Sequence, residues 1–331
     1  MNNEIKKFKV TISLINIVLF LIIFVFVTKI NSVYNKYALK VEEFKKLEQS
    51  LQEYVNSITQ NNGSEIAVYV KDLSTEYEIK INSDKRIPSA SLVKIPIMAA
   101  VYYLVDQGKL SLNEKLVYKK KYRCGGSGII KRSRYGTKFT VKELVDLMIT
   151  LSDNVATHML IDRIGIKNLN KIFKDLGLKN TNIDRFVMDL SARDKGIENY
   201  TTAEDMSLLL EKMYRGKLVS KEASIEMLLT MLKQRISDRI PKRLPLYVAV
   251  AHKTGLMRNV CHDAGIVYTN NGDFIICVLT YNINPQLAKD IIADVAYMTY
   301  CIYDKNYVEE KGEKVVDDTT NTDIGDDTGG N

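Results

Sequence analysis

The sequence predicts an α+β fold, an antiparallel five-stranded sheet flanked by helices with an all-helical lobe inserted in its sequence. Two β-patterned segments, 66–70 and 77–81, come early. Helical periodicity dominates the middle third. Three further β-patterned segments and a closing helix follow.

The chain has 331 residues, 46% hydrophobic and 26% charged, enough for one large domain or two intertwined lobes with extensions. Residues 10–28 are uncharged and mostly apolar, and at about 1.5 Å per residue they cover about 28 Å, close to a bilayer core. Lys6, Lys7 and Lys9 precede the run, which places a cytoplasmic stub at 1–9 by the positive-inside rule. We therefore expect a transmembrane anchor at 10–28 and a single-pass cell-membrane protein with the rest of the chain outside. A cleaved signal peptide competes with this, although Thr28-Lys29-Ile30-Asn31-Ser32 offers no small-x-small site. Residues 29–60 form a juxtamembrane segment. Within it Val41, Phe44, Leu47, Leu51, Tyr54, Val55 and Ile58 recur at three- and four-residue steps, as in a short stalk or a helix packed on the domain. Asn61-Asn62-Gly63 ends it.

The domain expected at 61–305 opens with the two early strands, joined by a turn near Leu73-Ser74-Thr75. Helices are expected over 141–164 and 202–214. Pro245 marks where the first late strand, 246–253, can begin. Strands 264–268 and 274–281 flank the hairpin turn Asn270-Asn271-Gly272, and a helix over 286–303 closes the domain. Residues 306–331, rich in Asp, Thr, Gly and Glu, read as a disordered acidic tail. The net charge of +7 is modest and gives nucleic-acid binding little support. The three histidines, His158, His252 and His262, do not pair at metal-ligand spacing, so neither a metal nor a cofactor is expected. The four cysteines show no C-x-x-C and are read mostly as buried thiols. A monomer is expected.

Three short strings carry the chemistry. Ser91-Leu92-Val93-Lys94 follows Pro88-Ser89-Ala90 and opens an apolar helical stretch. Ser91 is expected in the first turn, with Ser89 as N-cap and Lys94 one turn away on the same face. A serine hydroxyl needs a base, and a desolvated neutral lysine can serve. The helix N-terminus offers N–H groups to a developing oxyanion. Pro96 is expected to kink the segment. Ser152-Asp153-Asn154 falls in a loop between two helices, where Asp and Asn can act as caps or as site residues. Lys253-Thr254-Gly255 ends a strand. There a cation and a hydroxyl can hold a carboxylate, and Gly255 allows close approach to the strand edge.

The three strings, their order and their spacing resemble the class A β-lactamase family, within the penicillin-recognising serine enzymes, over about 61–303. Gly126-Ser127-Gly128, Leu176-Gly177-Leu178, Asp184-Arg185, Asn199-Tyr200-Thr201-Thr202-Ala203-Glu204-Asp205-Met206 and His262-Asp263-Ala264-Gly265 extend the match. The resemblance implies a β-lactamase/transpeptidase-like fold and an acyl-enzyme mechanism. It makes Ser91 the nucleophile, Lys94 its base and Ser152 the proton shuttle. Asn154, Lys253 and Thr254 become substrate clamps, and the N–H groups of Ser91 and Leu256 the oxyanion hole.

One departure stands out. Family members carry, on an omega-shaped loop, a glutamate that activates the deacylating water. Here Val187 falls at that place, and no Glu lies between Arg185 and Ile197. Asp189 is the nearest carboxylate, either a catalytic stand-in or a salt-bridge partner of Arg185 or Arg193. Three functions compete: a β-lactam hydrolase slowed by the missing glutamate; a membrane-anchored D-alanyl-D-alanine peptidase; or a sensor that stays acylated. The expected partners are a β-lactam or D-alanyl peptide and, through the anchor, the membrane.

Overall fold

The computed structural model describes residues 2–60, 63–305 and 307, with side chains throughout except at 2–6 and 8–17. The turn expected at Asn61-Asn62 and, Tyr307 apart, the expected acidic tail lie outside the described residues. The chain divides into two units, Met1–Leu47 and Glu48–Asn331.

Helix α1 runs unbroken over Asn2–Thr59. A separate anchor and juxtamembrane helix were expected. They merge because no Gly or Pro occurs before Gly63, so nothing interrupts the backbone ladder. From Val18 to Val27 the large apolar side chains are all exposed. The helix is long and apolar enough to cross a membrane, compatible with a single-pass anchor or a signal sequence.

In the second unit the end of α1 buries Leu51 and Val55. Strands β1 (Glu65–Asp72), β2 (Glu78–Ile81) and β3 (Ile87–Pro88) follow, then helix α2 (Lys94–Asp106). Strands β4 (Lys115–Val117) and β5 (Lys138–Thr140) bracket an irregular excursion. Next come α3 (Val141–Thr150), α4 (Asn154–Ile164), α5 (Ile166–Asp175), α6 (Leu190–Asp194), β6 (Tyr200–Thr201), α7 (Ala203–Tyr214) and α8 (Lys221–Met231). Strands β7 (Ala249–Met257), β8 (Val260–Tyr268) and β9 (Phe274–Tyr281) and helix α9 (Pro285–Tyr300) complete the unit. The five-stranded sheet has the order β2-β1-β9-β8-β7 and is antiparallel throughout, as expected.

The central strand β9 is buried from Phe274 to Thr280. A strand covered on both faces reads as a continuous apolar run, which is why 274–281 was legible to the residue. Helix α9 packs on β8 and β9 and is tied to α1 by Tyr54 Oη donating to Asp294 Oδ2 (2.7 Å). Capping explains several helix starts. Thr140 and Glu143 form a reciprocal capping box on α3, and Thr202 caps α7. The late strands differ from expectation at their ends. The β7–β8 ladder continues to Met257↔Val260 and closes at a tight turn where Asn259 takes a left-handed φ of 61°. Lys253-Thr254-Gly255 therefore lies within β7 rather than at its end. Cys261 and Cys277 are buried, whereas Cys124 and Cys301 are partly exposed.

Candidate active site

The segment that carries Ser91 is clamped from two sides. Ile87 pairs with Thr201, and Ser89 N–H donates to Asn199 O (2.8 Å). Burial pushes the pKa of His262 down to about 4. Its Nε2 lies 2.9 Å from Pro88 O, and its Nδ1 lies 2.8 Å from Cys261 O and 3.1 Å from Thr280 N, so the ring ties the Ser91 segment to β8 and β9. Ser91 then sits in a 3-10 turn, Ala90–Val93, that runs into α2. The expected cap is not made, because Ser89 gives no side-chain capping bond and Ala90 takes φ 45°. Pro96 falls in the first turn of α2, where its missing N–H costs little. Gly255 does not face open space. A Cβ there would meet Ala90 Cβ and His262 Cβ, each at 3.3 Å, so glycine lets β7 close on the Ser91 segment.

Lys94 is fully buried. Its Nζ lies 2.7 Å from Ser152 O, 3.0 Å from Ser152 Oγ and 2.8 Å from Asn154 Oδ1. Burial is the main cause that lowers its pKa to about 7, opposed by the Asp153 carboxylate and by Cys124. Lys253, also fully buried, donates to Ser152 Oγ (3.1 Å) and Thr254 O (2.7 Å). Burial drives its pKa well down, and the neighbouring Lys94 charge pushes the same way. Ser152 Oγ thus bridges two buried amines. It is held there by a left-handed backbone (φ 53°), a cost of about 1–3 kcal/mol that the surrounding bonds must offset. Asp153 is structural. Its Oδ1 caps α4 at Ala156 N–H, and its Oδ2 accepts the N–H groups of Ile129 and Ile130. Asn154 Nδ2 donates to Gly125 O (3.0 Å).

A cavity of about 520 Å³ opens over this group. Its lining includes Ser91, Ser127, Asn154, Val187, Leu190 and Leu256. Ser91 is half-buried and makes no side-chain hydrogen bond among the described residues. Lys253 and Thr254 are buried behind this surface.

The loop 185–199 carries the expected departure. Val187 faces the Ser91 cavity, and its carbonyl accepts from His158 Nε2 (2.7 Å). Asp189 does not reach that cavity. It borders a neighbouring one of about 530 Å³, beyond Val187 and Met188, and accepts the Ala192 N–H as N-cap of α6. Its expected ion pair is also absent, because Arg185 and Arg193 both bind Glu198. Glu198 Oε1 further accepts the Asn199 N–H (2.8 Å), while Asn199 Oδ1 accepts from Asp184 and Arg185. Sequence reasoning stopped one residue short of Glu198. It also missed Arg239, buried beside Cys261, whose charge helps to depress Lys253. Removing one partner of a buried ion pair costs about 3–5 kcal/mol. Glu198→Ala should therefore open the loop, seen as faster tryptic cleavage after Arg193 and Lys195 in the native protein. An unchanged cleavage rate would show that the loop does not depend on this pair.

Comparison with known proteins agrees with this geometry. β-Lactamase VEB-1 of Pseudomonas aeruginosa is 26% identical over 271 residues, covering 75% of this chain and 89% of that protein. Among solved structures, an ancestral class A β-lactamase matches with a TM-score of 0.69 at 25% identity, over 75% of this chain and 98% of that one. A PBP-A mutant, solved as an acyl-enzyme complex with penicillin G, matches with a TM-score of 0.72 at 29% identity, over 79% and 97%. The family model described as the β-lactamase enzyme family matches residues 46–304. With the five-stranded antiparallel sheet and its helices, these matches make the chain a serine hydrolase of the class A kind, and it belongs to the β-lactamase enzyme family.

Proposed function

We propose that the protein opens β-lactams through an acyl-enzyme on Ser91 and releases the product slowly. The observation that carries this reading is the buried Lys94–Ser152–Lys253 relay beside a Ser91 cavity whose facing loop presents Val187. With Lys94 neutral, its lone pair accepts a proton as Ser91 Oγ attacks the β-lactam carbonyl. The N–H groups of Ser91 and Leu256 hold the oxyanion. Collapse breaks the C–N bond, and the ring nitrogen takes a proton from Ser152 Oγ, which recovers one from Lys94. Lys253 and Thr254 hold the substrate carboxylate, Gly255 keeps β7 close to Ser91, and Asn154 steadies the acyl amide. Asp189 is left with its capping role.

A second reading, a membrane-anchored D-alanyl-D-alanine peptidase, is supported by the exposed apolar stretch of α1. It is also supported by a loop that suits acylation better than hydrolysis. In either case residues 10–28 hold the domain at 61–305 on the outer face of the membrane, and the protein acts as a monomer.

Time-resolved mass spectrometry of the protein mixed with benzylpenicillin tests both steps. We expect an adduct of the drug's mass to form in a burst and decay slowly. Absence of any adduct under conditions of turnover would overturn the acyl-enzyme reading. Release of D-alanine from a D-alanyl-D-alanine peptide would favour the second.

A further inference from the structure

Residues 61–305 contain 37 Lys and Arg against 27 Asp and Glu, a net +10. The excursion from Lys115 to Lys138 holds nine of those cations and no carboxylate, so the rest of the domain is close to neutral. All nine are exposed except half-buried Lys131. Among the described residues only Lys121 has a carboxylate partner, Asp162. Elsewhere on the domain cations are drawn into pairs, as with Lys71, Lys142, Arg163 and Arg215.

The excursion is also built rather than loose. Tyr118, Tyr122 and Ile130 are buried beneath it, Asp153 binds two of its N–H groups, and Lys131 Nζ donates to Gly126 O. It supplies Gly126 and Ser127 to the rim of the Ser91 cavity. This positively charged excursion therefore reaches the mouth of the active site through Gly126 and Ser127.

We propose that this excursion docks a linear, phosphate-bearing polyanion that runs past the mouth of the Ser91 cavity. Unpaired lysines and arginines suit phosphate groups, and an excess of one charge beside a cleft gathers and steers the opposite charge. A strand can lie along the rim and leave the cavity open, whereas a flat bilayer seated on the same cations would cover it. Single-stranded nucleic acid needs aromatic faces for its bases; Tyr118 and Tyr122 are buried, leaving Tyr135 as the exposed ring of the excursion. This inference goes beyond the proposed function and does not depend on how fast the acyl-enzyme is released.

The test uses the full-length protein in detergent and labelled long-chain inorganic polyphosphate. Neutralising four phosphates of a flexible polyanion gives a log–log salt slope of about −3, or roughly a 50-fold loss of affinity between 50 and 200 mM salt. The combined variant Lys119→Gln, Lys120→Gln, Arg132→Gln, Arg134→Gln should bind at least about tenfold more weakly, with a flatter slope. Its acylation by benzylpenicillin should match the native rate, which reports an intact fold and site. Equal binding by native protein and variant would overturn the proposal. So would tighter binding to single-stranded DNA than to polyphosphate. A preference for phosphatidylglycerol over phosphatidylcholine vesicles, lost in the variant and without polyphosphate binding, would make a membrane the partner and sink it as well.

Discussion

Lys94→Ala should slow acylation of Ser91 by benzylpenicillin about 10²–10⁴-fold, the usual worth of a positioned general base, and Ser91→Ala should abolish the adduct. Lys94→Arg should not rescue the rate, because a guanidinium stays protonated at any working pH. The pH dependence gives a sharper signature. Burial holds the Lys94 pKa near 7, so the acylation rate constant should climb as pH rises through about 7 and level off above it. A rate flat from pH 6 to pH 9 would show that Lys94 is not the proton acceptor.

The same lysine carries a stability cost with a defined sign. Its folded pKa lies below its unfolded value near 10.4, so between the two the unfolded chain binds more protons. Stability therefore rises with pH across that window, and the penalty is complete below about pH 7. Lys94→Met should consequently raise Tm at pH 6 while removing activity. A lower Tm would mean that the bonds to Ser152 and Asn154 outweigh the burial of the charge.

How much of this was legible in the sequence depends on how local each signal is. The strands at 274–281 and 66–70 and the two helices around Ser152 follow from period and capping, which neighbouring residues specify. Their ends were less legible. Lys253-Thr254-Gly255 reads like a strand terminus, yet the ladder partner in β8 extends β7 to Met257. Ala90 and Ser152 adopt left-handed conformations that neither residue type announces. The role of Asp189 is local and was within reach, since it caps the N–H three residues on. The pairing of Arg185 with Glu198 spans 13 residues and exists only once the loop closes on Asn199. The relay has the same character: Lys94 and Lys253 meet at one hydroxyl because α2, β7 and the α3–α4 loop converge.

Val187→Glu should accelerate release of the penicilloyl group by at least about tenfold, within the 10²–10⁴ range of a general base, and leave acylation nearly unchanged. Deacylation needs a carboxylate within hydrogen-bond reach of a water that is itself about 3 Å from the ester carbon. In the native loop the side chain facing the Ser91 cavity at this point is apolar, and its backbone is fixed by His158. Asp189 is engaged as a helix cap beside the neighbouring cavity. Glu198 borders the Ser91 cavity, but its oxygens are committed to Arg185, Arg193 and the Asn199 N–H. Neutral carboxamides at these two positions separate the alternatives. Asp189→Asn should alter release only weakly. Glu198→Gln should act through loop opening, with tryptic cleavage rising in step with any kinetic change. Fast native turnover without a burst, abolished by Asp189→Asn, would make Asp189 the working base and overturn the assignment of slow release to Val187. The same loss in Glu198→Gln with the loop still protected from trypsin would give that role to Glu198.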